Sequence, residues 1–401
     1  MRKKRTFNLL IAAQSLSAFG DNAVYSVIVG MLLQSVAGGH LSLAAFGVAS
    51  ALYANCFFLP YVLFAPALGW ISDRFEKRSV LFAANFIKAA GAAIGCAGIL
   101  SGTSLHMLAY LVIGLGAAVY SPSKYGIIPE LKNEAELVRA NAAVEMTTIV
   151  SILTGIIGGS LLVDHLRPEL CFLVLFAVYG LAAAVNRAMD RSGVCNRGLA
   201  LARSVSDFKA SAKKIMADNL LLVAVFGTAV FWGFAAFTKL NLQTWGQSVL
   251  KLQTATDISM LVLWLSIGII IGSLLAGKFL KTGAISGAWK FGFLTGVVTC
   301  VMAMVYLHYA LTMAELILIG MLGGLFVIPL NAEVQARSGT GNIGKVIAIQ
   351  NCYENGAMLL GTGIFWLFSK LSFSSTATFL IIGGFLCLTS ILWLRPLLKK
   401  S

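Results

Sequence analysis

Gly69-Trp70-Ile71-Ser72-Asp73-Arg74-Phe75-Glu76-Lys77-Arg78 is a short charged break between two apolar stretches, 43–70 and 80–101. Five of its ten residues are ionisable, whereas the chain as a whole is 58% hydrophobic and 11% charged. A surface in contact with water needs about 25% charged residues. Most of this surface therefore faces another solvent, and lipid is the simplest that fits. Each helical span takes about 20 apolar residues, so the chain holds roughly a dozen spans once loops are allowed for.

Outward from this break, the same alternation predicts twelve spans. They lie near 7–36, 43–70, 80–101, 104–125, 142–163, 169–189, 219–249, 257–279, 287–308, 311–332, 346–370 and 374–395. The net charge of +14 would suit nucleic acid, but its placement argues otherwise. On alternate sides of the spans, 23 Lys and Arg residues fall on one side and only Arg167, Lys251 and Lys370 on the other. Lys88, Lys124, Lys239 and Lys290 lie in or beside apolar segments. Cytoplasmic loops carry the excess of Lys and Arg, which puts both termini in the cytoplasm and excludes a nucleic-acid partner. The basic start runs into the first span without a small-residue cleavage site, so no removable signal is expected. Six of the seven cysteines lie in apolar segments and Cys195 in a basic loop. Their spacing supports neither a metal site nor a disulfide framework, and no cofactor is expected.

The expected fold is an all-α polytopic membrane protein. It has an N-terminal six-helix half (1–189), a basic cytoplasmic linker (190–218) and a C-terminal six-helix half (219–401). An internal repeat supports the division. Phe19-Gly20 recurs as Phe226-Gly227 and Pro122 as Pro329, both offset by 207 residues; Glu145 recurs as Glu354, offset by 209. Gly91/Gly95, Gly155/Gly159, Gly268/Gly272 and Gly292/Gly296 have the spacing that lets helix backbones approach closely in lipid. Packing, not substrate binding, is the reading they support.

The opening stretch resembles the cytoplasmic signature of the major facilitator superfamily: Gly69, three residues, Asp73-Arg74, then Lys77 and Arg78. The glycine would permit a close helix crossing. Asp73 would accept hydrogen bonds from a helix N-terminus, and Arg74, Lys77 and Arg78 would pair with other helices as a gate. Glu76 stands where the superfamily usually has another glycine. Gly339 to Lys345 imitates a phosphate-binding loop, but Val346 stands where a magnesium-binding Ser or Thr belongs, and no strand precedes it.

Ionisable groups within a span usually face the bundle interior or a wet cavity. Asp21 lies mid-span with Asn22 beside it; Gln14, Ser17, Asp21 and Tyr25 share one helical face. Lys124 ends the fourth span, and Lys239 follows Phe231-Trp232-Gly233 in the seventh. These residues either pair with one another to steady or gate the bundle, or bind an ionic substrate. Substrate binding is the expectation for Asp21, Lys124, Lys239, Asn22, Tyr25 and Trp232. Gating or structural charge is the expectation for Glu145, which shares a face with Asn141, and for Glu354, which shares one with Gln350. Lys88 and Lys290 are expected to snorkel or to serve structure. His40, His106, His165 and His308 are expected near outer ends of the spans.

Several blocks together resemble the bacterial lysophospholipid transporter family. They are Ser17-Ala-Phe-Gly-Asp-Asn-Ala23, Tyr120-Ser-Pro-Ser-Lys-Tyr-Gly-Ile127, Phe231-Trp-Gly233, Val327-Ile-Pro-Leu-Asn-Ala332, and Ala348-Ile-Gln-Asn351 with Glu354-Asn355. The resemblance implies a flippase carrying lysophosphatidylethanolamine and lysophosphatidylglycerol from the outer to the inner leaflet of the bacterial inner membrane. An acyltransferase/acyl-carrier-protein synthetase partner would reacylate them there. It also implies roles for Asp21, Lys124 and Lys239; at the last position the family typically carries arginine, which grips phosphate through a planar fork where lysine offers a point charge. A monomer working by alternating access is expected. The competing reading is a proton-coupled transporter or exporter of small soluble or drug-like solutes. An acyltransferase would need a soluble module, for which no segment is long enough, so an enzyme is not expected.

Overall fold

The computed structural model describes residues 2–103, 105–132, 134–191, 198–279, 284–305, 308–337 and 343–394. Helices follow one another in the order α1 Arg2–Ala37, α2 Leu43–Leu63, α3 Ala65–Arg74, α4 Lys77–Leu100, α5 His106–Gly126, α6 Ile128–Leu131, α7 Glu134–His165 and α8 Pro168–Arg187. Then come α9 Leu201–Ala217, α10 Asn219–Ser248, α11 Ala255–Phe279, α12 Ala288–Met304, α13 Tyr309–Arg337, α14 Ile343–Lys370 and α15 Ser375–Thr389. No strand occurs among the described residues. Spanning segments must satisfy every backbone polar group internally, and helices do so alone.

Eleven helices among the described residues are long and apolar enough to cross a membrane. The expected span at 346–370 is α14, 28 residues long but outside those eleven. Gln350, Asn351, Glu354 and Asn355 interrupt its apolar run, and it packs along α10. The expected span 43–70 is broken at Phe64 into α2 and α3. Pro66 explains the break, since it offers no amide to the carbonyl one turn back and its ring crowds that carbonyl. Four short or helix-flanking segments hold the histidines: His40 follows α1, His106 opens α5, His165 ends α7 and His308 precedes α13.

Two compact units divide the chain. One comprises Met1–Ser35 and Tyr53–Asp207, the other Val36–Leu52 and Phe208–Ser401. In the first, α4 packs against both α5 and α8; in the second, α12 packs against both α13 and α15. The repeat noted in the sequence thus recurs in the packing. The predicted basic linker contains a helix, α9. Ile215 on α9 is buried with Leu221, Ala224 and Val346 of the second unit. Ahead of α9, the Leu199 carbonyl accepts Trp70 Nε1 at 2.9 Å and Arg74 Nη1 at 3.2 Å, which ties that part of the connection to the first unit.

Outer faces of the spanning helices carry large apolar side chains, among them Phe86, Leu274 and Leu360. The glycine pairs read as packing positions do pack. Gly155 faces the Phe19 backbone, Gly268 and Gly272 face the backbone of Ile317 and Met321, and Gly296 faces that of Gly383.

Candidate substrate site

Gln14, Ser17, Asp21 and Tyr25, three or four residues apart on α1, face the other helices of the first unit. Gln14 Nε2 donates to Thr148 Oγ1 on α7 at 2.8 Å. Ser17 Oγ donates to Asn85 Oδ1 on α4 at 2.7 Å, and Asn85 Nδ2 donates to Asn186 Oδ1 on α8 at 2.7 Å. Tyr25 is buried, its ring 5.8 Å from that of Tyr110 on α5.

At the centre of this face Asp21 meets Lys88. Lys88 Nζ on α4 donates to Asp21 Oδ2 at 2.6 Å and to Ser17 Oγ at 2.8 Å. The other carboxylate oxygen accepts the Tyr179 hydroxyl of α8 at 3.0 Å. The Lys88 side chain is 2% exposed and that of Asp21 14%. Of the two expectations for Lys88, snorkelling or a structural role, the geometry favours the second: its ammonium turns inward because a carboxylate and a hydroxyl lie in reach there, and open lipid offers neither. Lys290 on α12, by contrast, is exposed. Two glycines make room for the pair. A Cβ on Gly116 would lie 2.6 Å from Lys88 Cγ, and one on Gly20 would lie 2.7 Å from the Tyr179 ring. Removing one partner from a buried ion pair typically costs about 3–5 kcal/mol, because the remaining charge is left uncompensated.

Lys124, at the end of α5, is buried with its Nζ 4.3 Å from the Tyr125 ring centroid. Asn22 is half-buried and donates to the Ala18 carbonyl of its own helix at 2.9 Å. Glu145 and Asn141 lie on α7, but their side chains fall outside the described residues, as do Gly339 to Asn342 of the phosphate-loop imitation and Cys195. In the second unit Lys239 is half-buried on α10. Trp232 is 40% exposed, with its ring 5.4 Å from Phe231.

The second unit carries a polar cluster of its own, on α10, α13 and α14. Gln350 Nε2 on α14 lies 2.7 Å from Asn331 Oδ1, 2.8 Å from Glu354 Oε1 and 3.2 Å from Thr228 Oγ1. The 207-residue offset carries Asp21 onto Thr228 and Lys124 onto Asn331, and the 209-residue offset carries Glu145 onto Glu354. At the positions of Asp21 and Lys124 the second unit thus has neutral hydrogen-bonding groups, while Glu354 keeps the carboxyl of Glu145.

Residues 10–362 match the Major Facilitator Superfamily. The chain belongs to that superfamily. Its similarity to proteins named lysophospholipid transporter LplT places it in their family as well. It is 32% identical over 377 residues to that of Pectobacterium carotovorum, covering 93% of this chain and 89% of the relative. It is 33% identical over 395 residues to that of Photorhabdus laumondii, covering 97% and 95%. Solved structures of similar fold include the human organic anion transporter MFSD10, with a TM-score of 0.71, 13% identity and coverage of 99% of this chain and 100% of that one. A POT family transporter in complex with 5-aminolevulinic acid gives a TM-score of 0.74, 13% identity and coverage of 98% and 96%. At these identities the likeness is one of fold.

The superfamily's signature loop is here a network within the first unit. Lys77 Nζ pairs with Glu130 on α6 at 2.5 Å, and Arg74 lies over the Trp70 ring at 5.0 Å. Asp73 is exposed and Arg78 half-buried. A Cβ on Gly69 would meet nothing within 4 Å, so the expectation of a close helix crossing there is corrected; the glycine that makes room in this loop is Gly126, against Lys77 Cε at 2.8 Å. Glu76 replaces a superfamily glycine without strain, since its φ of −62° suits any residue. It accepts Ser79 Oγ at 3.2 Å and lies 3.9 Å from Arg191. Tyr179, Asn85 and Glu130 carry no signal in the sequence. Lys88 alone carried a signal, as a charge inside an apolar span.

Proposed function

We propose that this chain is a lysophospholipid flippase of the bacterial inner membrane. The observation of greatest weight is the 32–33% identity, over nearly the whole chain, to proteins named lysophospholipid transporter. It carries lysophosphatidylethanolamine and lysophosphatidylglycerol from the outer to the inner leaflet, where an acyltransferase/acyl-carrier-protein synthetase partner reacylates them. It acts as a monomer by alternating access, with both termini in the cytoplasm and the halves 1–189 and 219–401 joined through 190–218. Asp21 and Lys124 in the first unit, and Lys239 in the second, serve the head group, as do Asn22, Tyr25 and Trp232. A lysolipid head group is a phosphodiester anion, with an ammonium in the ethanolamine form. Acidic and basic side chains together match both signs. Asp73, Arg74, Lys77, Arg78, Glu145, Gln350 and Glu354 serve gating or structure.

The test is uptake of labelled lysophosphatidylethanolamine by cells or vesicles carrying the wild type, Asp21→Ala or Lys239→Ala. Wild-type uptake with loss in both variants, at retained expression, is the expected result. An inert wild type that instead moves a small soluble cation along a pH gradient would replace this reading with that of a proton-coupled transporter.

A further inference from the structure

We infer that Lys88 keeps Asp21 ionised inside the bundle and thereby sets the preference for lysolipids whose head group carries an ammonium. This rests on the lysophospholipid reading above. A carboxylate offers about four acceptor sites. Lys88 and Tyr179 take one on each oxygen of Asp21, which leaves room for an incoming donor. The two partners are not equally reachable. Lys88 is enclosed, and Asp21 is the more exposed member of the pair. The ammonium of Lys88 is also held by Ser17, which is itself held by Asn85. Its stem fills the space left by Gly116, and the rings of Tyr120 and Tyr179 stand 5.3 and 5.9 Å from its Nζ. To reach a substrate, Lys88 would have to give up two hydrogen bonds and leave this enclosure. It therefore acts as a fixed positive charge behind Asp21, a positioning residue whose effect is felt through the carboxylate.

The chemical consequence follows from what a buried carboxylate does. Unpaired in an apolar setting, it takes up a proton instead of carrying its charge. Protonated, it no longer attracts an ammonium. Both lysolipids bring a phosphodiester anion, so that group does not separate them. Only the ethanolamine form adds a cation, and only an ionised Asp21 favours it over the glycerol form.

The experiment uses the full chain in vesicles of phosphatidylethanolamine and phosphatidylglycerol. Uptake of labelled lysophosphatidylethanolamine and lysophosphatidylglycerol is measured in parallel. Lys88→Met and Asp21→Asn are both expected to lower the ethanolamine-to-glycerol uptake ratio by about tenfold, the equivalent of one ordinary polar interaction. Lys88→Arg keeps the charge and the ratio. Infrared spectra of the same proteins in a maltoside detergent, which has no ester carbonyl, give a readout independent of transport: a carboxylic-acid carbonyl band gained in Lys88→Met over the wild type, and lost again in the Lys88→Met/Asp21→Asn double variant. Equal loss of both lysolipids in Lys88→Met, or no such band, would make Lys88 a structural residue only and overturn the inference. A wild type that moves neither lysolipid sinks the flippase reading and the head-group preference with it; the infrared band then decides whether Lys88 holds Asp21 ionised.

Discussion

Asp218 sits just ahead of α10 and accepts the amides of Leu220 and Leu221 at 3.0 and 3.1 Å, and Arg337 Nη1 at 3.2 Å from the end of α13. Partial burial pushes its carboxyl up, but the Leu221 amide, the Arg337 guanidinium and the Leu220 amide outweigh that and hold it below the usual carboxylate range. For a carboxyl lowered on folding, the stabilisation is complete above the unfolded value of about 3.9 and fades as pH falls through the folded value. Asp218→Ala is therefore expected to lower stability by about 1 kcal/mol at neutral pH. Thermal unfolding in detergent should show the gap to wild type narrowing in acid; a gap independent of pH would place its origin elsewhere. At this scale the sequence supplies residue types without partners. Asp21 was legible as a charge in a span, but Lys88 stands 67 residues along the chain and no local spacing links them.

Pairs of glycines decide how closely helices cross. Gly268 and Gly272 on α11 meet the backbone of Ile317 and Met321 on α13, and Gly320 and Gly324 on α13 meet the backbone of Leu265 and Ile269 in return. A methyl group at Gly268 has no space unless the helices separate. Gly268→Ala is expected to cost about 1–3 kcal/mol, as overpacking does. Gly69→Ala, at a position open to 4 Å, should change stability by less than about 0.5 kcal/mol. Melting temperatures of the two variants, purified identically, compare them; a neutral Gly268→Ala would mean that the α11–α13 crossing yields easily. The glycine spacing was readable in the chain. Which glycines touch a neighbour was not, as Gly69 illustrates.

For the whole molecule, the distribution of Lys and Arg predicts that the amino terminus and α9 lie on one side of the membrane and the α10–α11 loop on the other. Single cysteines at Lys4, Arg203 and Gln253, in a protein otherwise free of cysteine, would report this. In intact cells an impermeant maleimide should label Gln253→Cys and leave Lys4→Cys and Arg203→Cys unmodified. The reverse pattern would invert the proposed topology and, with it, the proposed direction of lipid movement.

The sequence by itself determined the solvent, the helical class, the approximate spans and the repeat. Each is written in composition or in short-range periodicity, and hydrocarbon leaves a spanning backbone few alternatives to the helix. Only the tertiary structure decided that the predicted second span breaks at Phe64, that α14 runs beside α10 despite its polar middle, and that Lys88 turns inward to Asp21. Charge pairing between helices depends on the rotation and depth of each helix in the bundle. Packing fixes those quantities across long separations in the chain, where sequence periodicity carries no information.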